Sequence, residues 1–200
     1  MDFICLQIEE SLRVMNLILE DGVIQKLIKE AASVCGRSLK KGNKIIFAGN
    51  GGSAADAQHL AAELVNRFSF DRPALAAVAI TTDTSIITSI SNDYEFERLF
   101  GRQLEAIGKK GDVFISLSTS GNSANILAGI KEAKKLGIFT IGLTGKSGGK
   151  MKRLCDRVIK VPSDETPRIQ ETHILIGHII CSLIENSLFG KKIQSKKLAL

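Results

Sequence analysis

From Lys41 onward, five short apolar runs alternate with helix-length segments, and this alternation leaves the chain few folds to choose from. The runs are Lys44–Ala48, Ala74–Ile80, Val113–Leu117, Thr140–Leu143 and Val158–Val161, each bounded by Gly, Asp or Ser. Short β-branched runs of this kind are how strands buried on both faces of a parallel sheet read. Parallel neighbours need a crossover, usually a helix. Helical segments fit between the runs at about 54–67, 84–107 with a break near Asn92, 123–136 and 147–154. The expected fold class is therefore α/β: a doubly wound, five-stranded parallel sheet with helices on both faces.

Both ends add helix. Ile8, Leu12, Met15 and Leu19 recur at helical spacing, and Ile24, Leu27, Ile28, Ala31 and Cys35 do so again after Asp21-Gly22. This N-terminal hairpin (1–41) presents apolar stripes that need a partner surface, from the domain or from another subunit. A last helix is expected from Pro167 to Leu188, with Thr166 as N-cap and Pro167 at the first helical position, where its missing N–H costs nothing. From Ile174 to Ile184 it is apolar nearly all round, interrupted by Gly177, His178 and Ser182. Such a helix is buried, and the run is too short to span a bilayer. Residues 1–189 read as one domain and 190–200 as a basic tail.

The charge pattern narrows the partners. The 200 residues carry +6, of which Lys191, Lys192, Lys196 and Lys197 supply four with no acid beside them, so residues 1–189 carry +6 − 4 = +2. No basic stripe with interleaved aromatics marks a nucleic-acid surface. Cys5, Cys35, Cys155 and Cys181 form no Cys-x-x-Cys pair, and Cys5 and Cys181 read as small core residues. The acidic start (Asp2, Glu9, Glu10) lacks the features of a secretory leader. A cytoplasmic protein with reduced thiols is expected, with neither nucleic acid nor membrane as partner.

Four motifs carry chemistry. Gly49-Asn50-Gly51-Gly52-Ser53 follows the first run, where glycines let a backbone approach an anion and the next helix offers free N–H groups. It lacks the dinucleotide spacing and the Walker lysine; a plain tight turn is the alternative. Ser118-Thr119-Ser120-Gly121-Asn122-Ser123 follows the third run. Its hydroxyls and backbone N–H groups can cradle a phosphate without a lysine. Helix capping by Ser120 or Ser123 would account for one hydroxyl, not four. His59-x-x-x-Glu63 puts an imidazole and a carboxylate on one helix face, for metal binding, for acid–base work or as a surface pair. Gln170, Glu171, His173 and His178 lie on the last helix. His178 falls within the apolar run, where a histidine without a partner is costly.

Together these residues resemble the sugar isomerase (SIS) family, and within it the phosphoheptose isomerase branch. The resemblance runs through GNGGSAADAQHLAAEL (49–64), TTDTS (81–85), SNDY (91–94), STSGNSAN (118–125), LTGKSGGKM (143–151) and PRIQETHILIGHIIC (167–181), over roughly residues 40–185. It implies strand order 2-1-3-4-5, in which the loops after strands one and three flank the switch point where ligands of open α/β sheets bind. It also implies that Ser118, Thr119, Ser120 and Ser123 hold a substrate phosphate, and that Asn50, Gly51, Gly52, Ser53, Asn92 and Asp93 line the sugar. His59, Glu63, Gln170 and His178 would form a zinc site, with Gln170 and Glu63 also touching substrate and Glu63 and His178 acting as base and acid. Asn66 stands where the family often has glycine, and the lysine-rich end after Gly190 looks additional.

The implied reaction is the aldose–ketose isomerisation of sedoheptulose 7-phosphate to D-glycero-D-manno-heptose 7-phosphate, for bacterial envelope heptose in lipopolysaccharide or capsule, by a homotetramer. Two other readings fit parts of the pattern: a non-catalytic SIS binding or regulatory protein, and an SIS isomerase of another sugar phosphate. Gln170 and His178 are eight positions apart, which separates their backbones by about 12 Å along a helix and turns them by roughly 80°. That spacing suggests a site shared between chains, with one ligand supplied by a neighbouring subunit, as between Glu63 and His178; a long lean of the side chains or a distorted helix would also close the gap.

Overall fold

The computed structural model describes residues 2–190 of the chain. Five strands form one parallel sheet: β1 (Ile45–Ala48), β2 (Ala77–Ala79), β3 (Val113–Ser118), β4 (Phe139–Thr144) and β5 (Arg157–Lys160), in the order β2-β1-β3-β4-β5. Every residue of β1 and β3 is buried, which is why these strands show no in–out alternation in the sequence. Strand β2 is shorter than the apolar run that marks it. Leu75 donates its N–H to the Leu64 carbonyl at 3.1 Å, which takes the start of the run out of the ladder.

Eight α-helices surround the sheet among the described residues: α1 (Phe3–Glu20), α2 (Gly22–Lys40), α3 (Gly52–Val65), α4 (Thr84–Asp93), α5 (Leu99–Ile107), α6 (Ala124–Lys135), α7 (Met151–Leu154) and α8 (Thr166–Phe189). The break expected near Asn92 falls between α4 and the 3-10 turn Phe96–Arg98. Asp21 separates α1 from α2 and caps α2, accepting from the N–H groups of Val23 and Ile24 at 2.8 and 3.0 Å. Two expectations need correction. Helix α7 is a single turn, because Gly148 and Gly149 adopt positive φ and delay its start. The N-cap of α8 is Glu165, so Thr166 and Pro167 are its first two helical residues. The missing proline N–H still falls among the donors that have no partner in the helix.

The period of a strand divides the core in two. Ile45 and Phe47 face one layer with Ile28, Cys35, Leu60, Ile115, Ile176 and Ile180. Ile46 and Ala48 face the other with Phe100, Leu104, Phe114, Ile126 and Met151. The first layer is built from α2, α3 and α8. By length and composition α8 could cross a membrane, but here it packs on α2 and α3, with Ile169, Ile176, Ile180, Cys181 and Ile184 buried. Helix α1 contributes only Val14 and Ile18 to the core; Ile8, Leu12 and Leu19 are more than half exposed. Cys181 is buried as expected, whereas Cys5 is exposed on α1 and is not a core residue. The lysines of the tail lie outside the described residues.

The buried histidine of α8 is His173, fully enclosed, with neither ring nitrogen hydrogen-bonded among the described residues. Burial pushes its pKa down to about 4 from the ordinary 6.5, against a smaller upward pull from the backbone at Thr144. Above pH 6.5 the folded and unfolded chains are both neutral here. Between 6.5 and about 4 the unfolded chain takes a proton that the folded chain refuses. Stability is thus full above this window and falls as pH falls through it, by up to about 3 kcal/mol. Urea unfolding of wild type and His173→Leu across the window should show this extra loss in the wild type alone. Parallel pH profiles would contradict a neutral buried imidazole.

Candidate active site

The site begins where β1 turns into α3. A Cβ on Gly49 would overlap the Ser53 backbone, so glycine is required for the turn. Gly51 holds φ at +54° as the N-cap of α3. Ser53 donates its N–H to Asn50 O and Ala54 to Gly51 O, both at 3.0 Å. The buried Ser53 side chain and the tip of Asn50 complete the loop. Asn50 and the buried Asn125 of α6 exchange side-chain amide bonds in both directions at 2.9 Å, tying this loop to the one after β3.

The second loop, after β3, gathers hydroxyls. Ser118 Oγ lies 2.9 Å from Ser123 Oγ and 3.5 Å from Ser120 Oγ. Ser123 is the N-cap of α6 but makes no side-chain cap bond, so capping does not account for its hydroxyl. Ser120 accepts from Asn122 N at 3.1 Å. Gly121, at φ +65°, leaves no room for a Cβ, which would stand 2.5 Å from Gly148 O of the next loop. Hydroxyls converging at the start of α6 can donate to an anion such as a phosphate. Because β1 and β3 are adjacent and parallel, both loops open at the same edge of the sheet, on either side of the switch point.

The third part lies across α3 and α8. His59 Nε2 is 2.9 Å from His178 Nε2 and 3.2 Å from Glu63 Oε1. Ligating atoms of the three residues all lie within 4.8 Å of one another. Tetrahedral ligands at about 2.0–2.1 Å from an ion stand about 3.4 Å apart, so this trio fits a small divalent metal. The Phe68 ring packs on His178, with centroids 5.6 Å apart. Glu63 and His178 meet within one chain; the expectation that different subunits supply these two is corrected. The pair lies eleven residues along α3 from Gly52 and eight along α8 from Gln170, and the two helices draw side by side, which helical spacing on α8 alone does not reveal.

Gln170 reaches the start of α3. A Cβ on Gly52 would stand 2.5 Å from its Nε2, so its amide rests on the Gly52 backbone, seven residues before His59. Thr119, half-buried, follows Ser118 in the hydroxyl loop, and its carbonyl accepts from Gly145 N at 2.9 Å. Asn92 and Asp93 end α4, exposed and bonded to each other at 2.8 Å; among the described residues neither bonds to either loop. Sequence reasoning missed several neighbours. Asp56 shares the α3 face of Gly52, His59 and Glu63; burial raises its pKa against the lowering pull of His59. Its i, i+3 spacing to His59 was a usable signal. Phe68, Arg72 and Glu185 gave none, since Glu185 stands 117 and 113 positions from the other two.

A hydroxyl loop and a glycine loop flank the switch point of this 2-1-3-4-5 sheet, and the SIS domain family matches residues 10–145. The chain is 56% identical over 196 residues to the phosphoheptose isomerase of Aneurinibacillus thermoaerophilus, covering 98% of this chain and 99% of that protein. It is 57% identical over 188 residues to phosphoheptose isomerase 2 of Campylobacter jejuni, covering 94% of each. Among solved structures it resembles phosphoheptose isomerase GmhA from Neisseria gonorrhoeae (41% identity, TM-score 0.86, 92% and 97% of the two chains). It also resembles the phosphoheptose isomerase from Francisella tularensis (36%, TM-score 0.88, 92% and 96%). The chain belongs to the phosphoheptose isomerases of the SIS domain family.

The closeness of α3 and α8 has a local cause. Gly177 has no side chain, and the buried Leu60 fills the space where its Cβ would be. Gly177→Ala should force the helices apart and lower stability by about 1–3 kcal/mol, the scale of overpacking a tight core. Chemical denaturation measures this. An unchanged or raised midpoint would show that Leu60 moves aside freely.

Proposed function

We propose that this chain converts sedoheptulose 7-phosphate to D-glycero-D-manno-heptose 7-phosphate. The convergence of His59, Glu63 and His178, with the first two on the helix that starts at the glycine loop, carries the reading. The substrate phosphate sits among Ser118, Thr119, Ser120 and Ser123, and the sugar extends along Asn50, Gly51, Gly52 and Ser53, with Asn92, Asp93 and Gln170 around it. Anchoring the unreactive end orients the reacting carbons. Glu63 takes a proton from C1 while His178 gives one to the C2 oxygen, producing the enediol. Glu63 then returns its proton to C2 as His178 recovers one from the C1 hydroxyl, giving the aldehyde. Each proton removed is replaced, so the reaction is redox-neutral overall.

Zinc is the ion proposed for His59, Glu63 and His178, with Gln170 as a further ligand. Nitrogen and oxygen donors at this spacing suit it. When bound it would polarise the substrate's oxygens; a coordinated carboxylate oxygen is a weaker base and a coordinated ring nitrogen carries no proton, so Glu63 and His178 act as base and acid through atoms that are not on the ion. The surrounding residues hold the imidazoles and carboxylate in place for it. The product's use in envelope heptose synthesis, and a cytoplasmic location where phosphorylated sugars are made and consumed, belong to this same reading.

Purified protein should interconvert the two heptose phosphates, and treatment with a chelator should abolish turnover until zinc is restored. Glu63→Gln keeps the size of the side chain but removes the base, and should lower kcat by at least about a hundredfold. Wild-type rates in that variant, or no turnover by zinc-loaded wild type, would reject the reading. A hexose or amino-sugar phosphate turned over faster would favour the other isomerase reading.

We also propose that the working form is a homotetramer. Phe3, Ile4, Ile8, Leu12 and Leu19 leave an apolar face on α1. Beside it, Met15, Ile28, Leu175, Ile179 and Leu183 line an apolar groove of about 490 Å³ between α1, α2 and α8. A second copy of the chain covers such a surface. Light scattering should give four times the chain mass; a monomer at micromolar concentration would contradict this.

A further inference from the structure

Arg72 and Glu185 form an ion pair whose side chains are 1% and 0% exposed. Glu185 Oε1 accepts from Phe68 N at 2.9 Å and Arg72 Nε at 3.1 Å, and its Oε2 accepts from Ser69 N at 2.7 Å. Arg72 Nη2 donates to Glu63 O at 2.9 Å. Its Nη1 donates to Leu64 O at 2.7 Å, Pro73 O at 3.1 Å and Asn66 O at 3.3 Å. Helix α3 ends at Val65, so Glu63 and Leu64 carry two of the carbonyls that find no partner inside the helix. Arg72 satisfies both.

Stability alone does not account for this arrangement. Desolvation of two buried charges largely cancels their attraction, and well-packed apolar residues often serve as well. What distinguishes the pair is where its bonds end. One end holds the backbone of Glu63 itself. The other holds the N–H of Phe68, whose ring lies on His178. Glu185 also follows His178 by seven residues on α8, about two turns and nearly the same face. A single buried clamp therefore joins the end of α3, the segment carrying Phe68, and α8.

We propose that the Arg72–Glu185 pair is a positioning device for the His59–Glu63–His178 cluster, fixing the separation of its ligating atoms by locking α3 against α8 and seating Phe68 on His178. The proposal rests on the reading of that cluster as the metal and acid–base centre. Groups that orient ligands from behind are worth about 10–100-fold in metal affinity or activity, and a working site tolerates displacements of only about 0.5 Å.

Three variants test it. Arg72→Lys keeps a charge opposite Glu185, but one ammonium cannot reach the same carbonyls. Arg72→Met combined with Glu185→Leu leaves no buried charge unpaired. Phe68→Leu leaves the ion pair intact and removes only the ring on His178, so it reports on the clamp even if altering the pair prevents folding. Folding is checked by circular dichroism and cooperative melting. Zinc affinity, measured by competition with a chromophoric chelator, should fall about 10–100-fold in the folded pair variants and severalfold in Phe68→Leu. Turnover should follow through kcat, with KM for sedoheptulose 7-phosphate within about twofold, because the phosphate loop is untouched.

A separate readout needs neither zinc nor turnover. Long-range 1H–15N spectra of the metal-free protein should show the His59 and His178 ring nitrogens coupled through their short contact in wild type, and shifted in the variants. Wild type that neither binds zinc nor isomerises would reject the functional reading while leaving this comparison decisive for the clamp. Folded variants with wild-type zinc affinity, kcat and ring spectra would overturn the proposal, as would Phe68→Leu indistinguishable from wild type in all three. A loss appearing in KM alone would overturn it as well.

Discussion

Leu60 of α3 occupies the space that a side chain at residue 177 of α8 would need, and this close approach underlies everything proposed for the site. Two helices that cross the sheet in different parts of the chain are brought near enough for His59 and His178 to face each other at 2.9 Å. The same packing places Glu63 at 3.2 Å from His59 and rests the Gln170 amide on Gly52. Because protein cores are packed as densely as crystals, such an approach has one arrangement rather than a range of them. The cluster itself is half-exposed, but the helices that carry it are fixed by the core beneath it.

The sheet supplies the complementary half. Adjacent parallel strands β1 and β3 send their following loops to one edge, and the reciprocal Asn50–Asn125 amide pair holds those loops together. The hydroxyls of Ser118, Ser120 and Ser123 face one another instead of capping α6. On the proposed reading, the hydroxyls after β3 grip the substrate while the carboxylate and imidazoles between α3 and α8 move its protons.

Much of this was legible in the sequence. The central strands β1 and β3 stood out because burial on both faces removes alternation, and the glycine and serine loops because their residue types are unusual at strand ends. The failures have physical causes. Ala74–Ile80 is apolar throughout, but Leu75 bonds to Leu64, so pattern overstates β2. Thr166 looks like a cap, yet α8 begins one residue earlier than that role requires. His178 drew attention for lying in an apolar run, while the enclosed histidine is His173. There the signal existed: His173 shares the heptad-like stripe of Ile169, Ile176 and Ile180, and His178 lies off it. The Arg72–Glu185 pair had no such signal, since charged residues 113 positions apart read as surface until the fold joins them.

The central claim is that one chain holds a metal between α3 and α8 and a phosphate at the loop after β3. Anomalous diffraction at the zinc edge, from crystals grown with zinc and sedoheptulose 7-phosphate, tests it most directly. The account predicts one peak bounded by His59 Nε2, His178 Nε2 and the Glu63 carboxylate of the same chain, with phosphate density against Ser118, Ser120 and Ser123. A peak elsewhere, or a phosphate lying at the histidines instead of the serines, would contradict it.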